Sequence, residues 1–91
     1  MRKHIQVLYS GRVQGVGFRF TAEESARRLG VVGWVKNLRD GRVELVAEGD
    51  ERMLTRFLED VRSGPMRNFI KDTEVSWSTA TNDFTEFDIH Y

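Results

Sequence analysis

Gly11-Arg12-Val13-Gln14-Gly15-Val16-Gly17-Phe18-Arg19 joins a segment of strand character to one of helix character through closely spaced glycines, and it ends in arginine. Glycine reaches backbone angles closed to residues with a Cβ, so Gly15 and Gly17 allow successive N–H groups to turn inward toward one oxyanion. A helix beginning just beyond them adds the partial positive charge of its N-terminus. Arg19, in the first turn of that helix, supplies a fork of donors shaped for phosphate. Taken alone, the pattern suits a tight turn with a solvent-exposed arginine equally well, because glycine-rich turns between strand and helix are common.

Upstream of this loop, Ile5, Val7 and Tyr9 alternate with Gln6, Leu8 and Ser10, which reads as a first strand over residues 4–12. Downstream the period changes. Phe18, Ala22, Ala26 and Leu29 repeat at helical spacing, with Glu23–Arg27 and Glu24–Arg28 paired four residues apart on another face. Gly30 is a natural stop. Thr21-Ala22-Glu23-Glu24 resembles a capping box, but the apolar stripe already begins at Phe18, which favours the earlier start.

Trp34–Leu38 and Val43–Ala47 flank Asp40-Gly41, a hairpin signal because both residues tolerate positive φ. Asp50 is a plausible N-cap for a second helix carrying the stripe Leu54, Phe57, Leu58, Val61 and ending near Gly64-Pro65. Thr73, Val75 and Trp77, then Phe87, Ile89 and Tyr91, alternate with polar residues and read as a fourth strand and a short fifth. Residues 63–69 and 78–83 read as loops. The order βαββαβ with a closing strand predicts an α+β, ferredoxin-like sandwich, with two helices on one face of an antiparallel four- to five-stranded sheet. In this split arrangement the third strand lies between the first and second, which therefore run parallel. Their C-terminal ends share one rim about 10 Å apart, so the glycine loop and Asn37 can face a common ligand.

With 91 residues, the chain is expected to form one domain over residues 1–91. Basic and acidic residues balance at 14 each, so no broad positive footprint argues for nucleic acid. There is no cysteine, which removes thiolate nucleophiles and sulfur-ligated metals. No apolar run reaches membrane-spanning length, and Met1-Arg2-Lys3 leads into a strand rather than a signal sequence. A soluble, cytoplasmic protein is expected.

Gly11–Arg19, followed by Gly33-Trp34-Val35-Lys36-Asn37 and Asp40-Gly41-Arg42-Val43-Glu44-Leu45, resembles the acylphosphatase family. The likeness extends over nearly the whole chain through Ala47-Glu48-Gly49, Gly64-Pro65 and Phe87–Tyr91, and is weakest over Met66–Asp72. It implies hydrolysis of the carboxylic–phosphoric anhydride of a small acyl phosphate to a carboxylate and inorganic phosphate. It further implies that Arg19 and the loop Gln14, Gly15, Val16, Gly17 and Phe18 bind the phosphoryl group, and that Asn37 orients the attacking water. No cofactor or metal is implied, and a small closed domain of this kind is expected to be a monomer. The chemistry suits these residues, because phosphoryl transfer needs mainly positioning and charge stabilisation. An acyl phosphate has a good leaving group, so no strong general acid is required. An amide has no useful basicity, so the water's proton is expected to pass to a phosphate oxygen or to solvent.

Other residues carry plainer expectations. His4 and His90 are too few to specify a metal site and are expected in structural roles. Trp34, Trp77, Phe18, Phe20, Phe57 and Phe87 are expected to pack in the core or on the sheet face. Arg12, Lys36 and Arg39 are at most secondary to the phosphate site. An RNA-binding module of the same topology would carry an aromatic RNP1 motif, and a metal chaperone would carry paired cysteines. Neither is present. The stronger alternative is a non-hydrolytic phosphate- or carbamoyl-phosphate-binding module, as found fused within larger hydrogenase-maturation enzymes.

Overall fold

The computed structural model describes residues 1–91. The chain runs β1 (Arg2–Gly11), α1 (Phe18–Leu29), β2 (Val32–Asn37), β3 (Val43–Asp50), α2 (Glu51–Ser63), a short 3-10 turn (Arg67–Phe69), β4 (Ile70–Thr79) and β5 (Phe87–His90). The strands form one sheet in the order β4-β1-β3-β2-β5. Central β3 is antiparallel to both β1 and β2, so those two run parallel and end on one rim, as expected. The ferredoxin-like α+β arrangement is thus present, with one refinement. β5 pairs parallel with β2, which makes the sheet mixed rather than antiparallel throughout. The cause is the connection: residues 80–86 carry the chain from one sheet edge to the other, and a crossover of this kind returns it in the direction of β2.

Period-two alternation decides which side of the sheet is dry. Ile5, Val7 and Tyr9 of β1 lie opposite Ala47, Leu45 and Val43 of β3, and all are buried on the helix side. Phe18, Ala22 and Ala26 of α1 and Leu54, Phe57 and Val61 of α2 complete a single cluster of 16 buried residues with Val13, Val31, Val35 and Phe87. Each large apolar side chain so buried contributes roughly 1.5–3 kcal/mol. Helix α1 begins at Phe18 as the stripe predicted, and Gly30 ends it, its N–H donating to the Ala26 and Arg27 carbonyls. Asp50 caps α2 by accepting from the Arg52 N–H at 3.0 Å. No helix is long and apolar enough to cross a membrane.

Three local expectations are corrected. In the β2–β3 connection only Gly41 has positive φ, at 95°. The Gly41 N–H donates to the Leu38 carbonyl at 3.3 Å and the Leu38 N–H to the Arg42 carbonyl at 2.8 Å. The connection is therefore a turn over Arg39-Asp40 followed by a glycine in the left-handed region, not a two-residue turn at Asp40-Gly41. Phe18, Phe57 and Phe87 pack in the core, but Phe20 is 63% exposed because it lies on the outer side of the first helical turn. β4 runs from Ile70, further than Thr73–Trp77 suggested, and it is exposed along nearly its whole length. It is an edge strand, so Trp77 stays 44% exposed even on the helix side.

Candidate active site

Two buried anchors set the shape of the glycine loop. Val13 is sunk in the core as β1 ends, and Phe18 is buried where α1 begins, its ring tilted against Tyr9 with centroids 4.9 Å apart. Between them the backbone must turn sharply, and Gly15 (φ 76°) and Gly17 (φ 83°) take the left-handed conformations that make this possible. The consequence is a set of free donors. No backbone N–H from Gln14 to Phe20 donates to a protein acceptor. Gly17 occupies the N-cap position of α1 with no side-chain cap, and no acidic residue stands in the first turn. Orphan donors at a helix N-terminus with its positive dipole end are an arrangement able to bind an anion.

Arg19 lies in the first turn of α1 and is steered by the end of the chain. Its Nη1 donates to the His90 carbonyl at 3.1 Å, and its guanidinium lies 4.7 Å from the centroid of the Tyr91 ring. Because β5 runs parallel to β2, its C-terminal end reaches the same rim as Asn37, the last residue of β2. Strand alternation puts Asn37 on the side of buried Gly33 and Val35, which is the side where α1 begins. The Asn37 side chain is exposed and makes no hydrogen bond to the protein.

Gln14 bridges these two halves. Its Nε2 donates to the carbonyl oxygens of Leu38 at 2.7 Å and Arg42 at 2.9 Å, tying the loop to the hairpin that follows Asn37. Its side chain is thereby committed, and only its backbone N–H is free for an anion. Lys36 does not join the cradle: its ammonium lies 5.2 Å from the Trp34 ring centroid, one alternation away from Asn37. The Arg12 N–H donates to the Phe69 carbonyl at 2.9 Å, and its side chain is exposed.

Sequence reasoning missed the roles of His90 and Tyr91, because parallel pairing of β5 with β2 leaves no local turn signal. It also missed the commitment of the Gln14 amide to hairpin carbonyls 24 and 28 residues away. Tyr9 sits beneath the loop with its hydroxyl buried and unpartnered. Burial pushes that phenol well above its usual range, so it remains neutral and serves as packing for Phe18. His4 has the structural role expected of it, with Nδ1 2.6 Å from Glu48 Oε2 on the other side of the sheet.

Known proteins resemble this chain in sequence and in fold. Residues 5–89 match the family model described as acylphosphatase. An acylphosphatase of Dehalococcoides mccartyi (strain CBDB1) is 47% identical over 88 residues, covering 96% of this chain and 97% of its own. The crystal structure of acylphosphatase from Bacillus subtilis has a TM-score of 0.90 at 40% identity, with both chains covered completely. HypF from T. kodakarensis is similar over 98% of this chain, at 30% identity and a TM-score of 0.84, but the match takes in only 12% of that protein. The full-length matches, the family model and the shared fold agree: the chain belongs to the acylphosphatase family.

Proposed function

We propose that this acylphosphatase holds the phosphoryl group of its substrate with Arg19 and the backbone N–H groups of Gln14, Gly15, Val16, Gly17, Phe18 and Arg19, and that Asn37 orients the attacking water. The observation that carries this reading is the row of unpaired N–H groups at the start of α1, facing the rim that also holds Arg19 and Asn37. Donors already fixed in place stabilise charge as it builds on the equatorial oxygens without reorganising during reaction. The carboxylate departs on its own. Asn37 accepts a hydrogen bond from water through its carbonyl and so aims an oxygen lone pair at phosphorus, while the water's proton moves to a phosphate oxygen or to solvent. No protein nucleophile is required.

The site draws every residue from one chain, and one core serves both helices. We therefore propose that residues 1–91 act as a single catalytic domain and as a monomer, placed in the cytoplasm on composition alone. Sedimentation at working concentration checks the oligomeric state.

The decisive experiment is hydrolysis of benzoyl phosphate by the protein beside its Arg19→Ala and Asn37→Ala variants, with folding verified by circular dichroism. Loss of turnover in both folded variants is expected. Turnover that survives in either removes that residue from the mechanism.

A further inference from the structure

We propose that Gln14 is the positioning residue of the water site, holding Asn37 at its working distance from the phosphate cradle through the β2–β3 hairpin. The inference rests on Asn37 acting on the attacking water. Both amide protons of Gln14 are spent on the hairpin, one on the Leu38 carbonyl at 2.7 Å and one on the Arg42 carbonyl at 2.9 Å. Chemistry fixes this orientation, because a reversed amide would set its oxygen against two carbonyl oxygens. What remains on the side chain is Oε1, an acceptor, which cannot bind an anion.

The hairpin otherwise closes on itself through the Leu38 N–H to Arg42 carbonyl bond and the Gly41 N–H to Leu38 carbonyl bond. Neither ties it to the glycine loop. The Gln14 amide makes that tie at both ends of the turn, and Leu38 directly follows Asn37 in sequence. One side chain thus spans from the residue before Gly15 to the residue after Asn37. It sets the gap between phosphate and water more tightly than two strand spacings of a flexing sheet would.

The test is a double-mutant cycle with Gln14→Leu, which keeps the bulk and removes the donors, and Asn37→Ala, read with benzoyl phosphate as substrate and inorganic phosphate as competitive inhibitor. A shifted nucleophile position costs about tenfold to a hundredfold in rate, so kcat should fall by that factor in Gln14→Leu while phosphate inhibition changes by less than about twofold. In the Asn37→Ala background the same substitution should cost almost nothing, because the group it positions is gone. Amide exchange at Leu38 and Gly41 should quicken in Gln14→Leu and stay unchanged along β1. If Gln14→Leu does not fold, Gln14→Asn, one methylene short, replaces it in the same cycle.

Phosphate affinity falling in parallel with kcat would mean that the Gln14 side chain shapes the phosphate cradle, to which only its backbone N–H is assigned, and would overturn the proposal. So would a full loss persisting in the Asn37→Ala background. Wild-type turnover in Asn37→Ala alone would instead defeat the water-positioning reading, and this proposal with it.

Discussion

Arg19, proposed above to hold the phosphoryl group, is restrained by its neighbours within the chain itself. A long guanidinium side chain loses rotamer freedom when it binds an anion, and here the His90 carbonyl and the Tyr91 ring already restrict it. If its main effect is on charge in the transition state, Arg19→Ala costs on the order of 3–4 kcal/mol, at least a hundredfold in kcat/KM. Arg19→Lys should recover little of that, since a point charge lacks the planar fork. Asn37→Ala is expected to lower kcat more than it weakens phosphate inhibition, and equal losses would count against a partner that is water. Tyr9 behaves oppositely. Its hydroxyl is buried without a partner, so Tyr9→Phe removes no protein hydrogen bond and relieves a desolvated group. Urea unfolding should find the variant as stable as the parent or more so by up to about 2 kcal/mol, and a loss larger than about 1 kcal/mol would mean that the hydroxyl bonds to water.

At the scale of elements, the loop between β1 and α1 depends on backbone shape rather than on side chains. A Cβ added at Gly15 or Gly17 would meet nothing within 4 Å, so Ala at either position creates no clash and loses only the ease of positive φ, about 1 kcal/mol or more. Gly17→Ala should therefore fold with a slightly lower Tm yet raise the phosphate inhibition constant several-fold, because relaxing φ turns an N–H out of the cradle. Isothermal titration with phosphate checks this, and unchanged affinity would free the cradle from its dependence on that angle. These elements were legible because their signals are local. Phe18 starting a 3.6-residue stripe, Asp50 before Leu54 and the glycines before Arg19 each declare themselves within a turn or two of chain. The parallel seat of β5, the exposure of Trp77 on β4 and the grip of Gln14 on Leu38 and Arg42 were not legible. Each depends on which strands become neighbours, and no single segment records that. The placing of the glycine loop and Asn37 on one rim lay between these cases: the strand order put both there, but the hold of His90 on Arg19 needed β5 in place.

Taken whole, the molecule has to carry its chain from the β4 edge to the β5 edge across the outer face of the sheet, and the crossing is fastened midway by Glu48. This carboxylate lies in central β3 and is fully buried. It accepts from His4 Nδ1 at 2.6 Å, from the Thr81 N–H and hydroxyl at 2.8 Å each, and from the Asn82 N–H at 2.8 Å. Burial by itself would raise its pKa, but the donors from Thr81, His4 and Asn82 outweigh that and hold it at about 2, against an ordinary value of 4.5. The sign follows: a depressed carboxyl stabilises the fold fully above about pH 4.5 and loses that contribution as pH falls toward about 2, at no more than about 1.4 kcal/mol per pH unit. Glu48→Gln leaves donors facing an NH2 group and should cost about 3 kcal/mol at neutral pH. Because the crossing delivers β5, and β5 delivers the His90 carbonyl to Arg19, the folded variant should also lose turnover although Glu48 lies on the far side of the sheet. Urea midpoints measured for both proteins from pH 2 to 7 should differ most above pH 5 and converge near pH 2, where the parent's carboxylate is half protonated. Curves that run parallel through this range would show that Glu48 does not fasten the crossing through its charge.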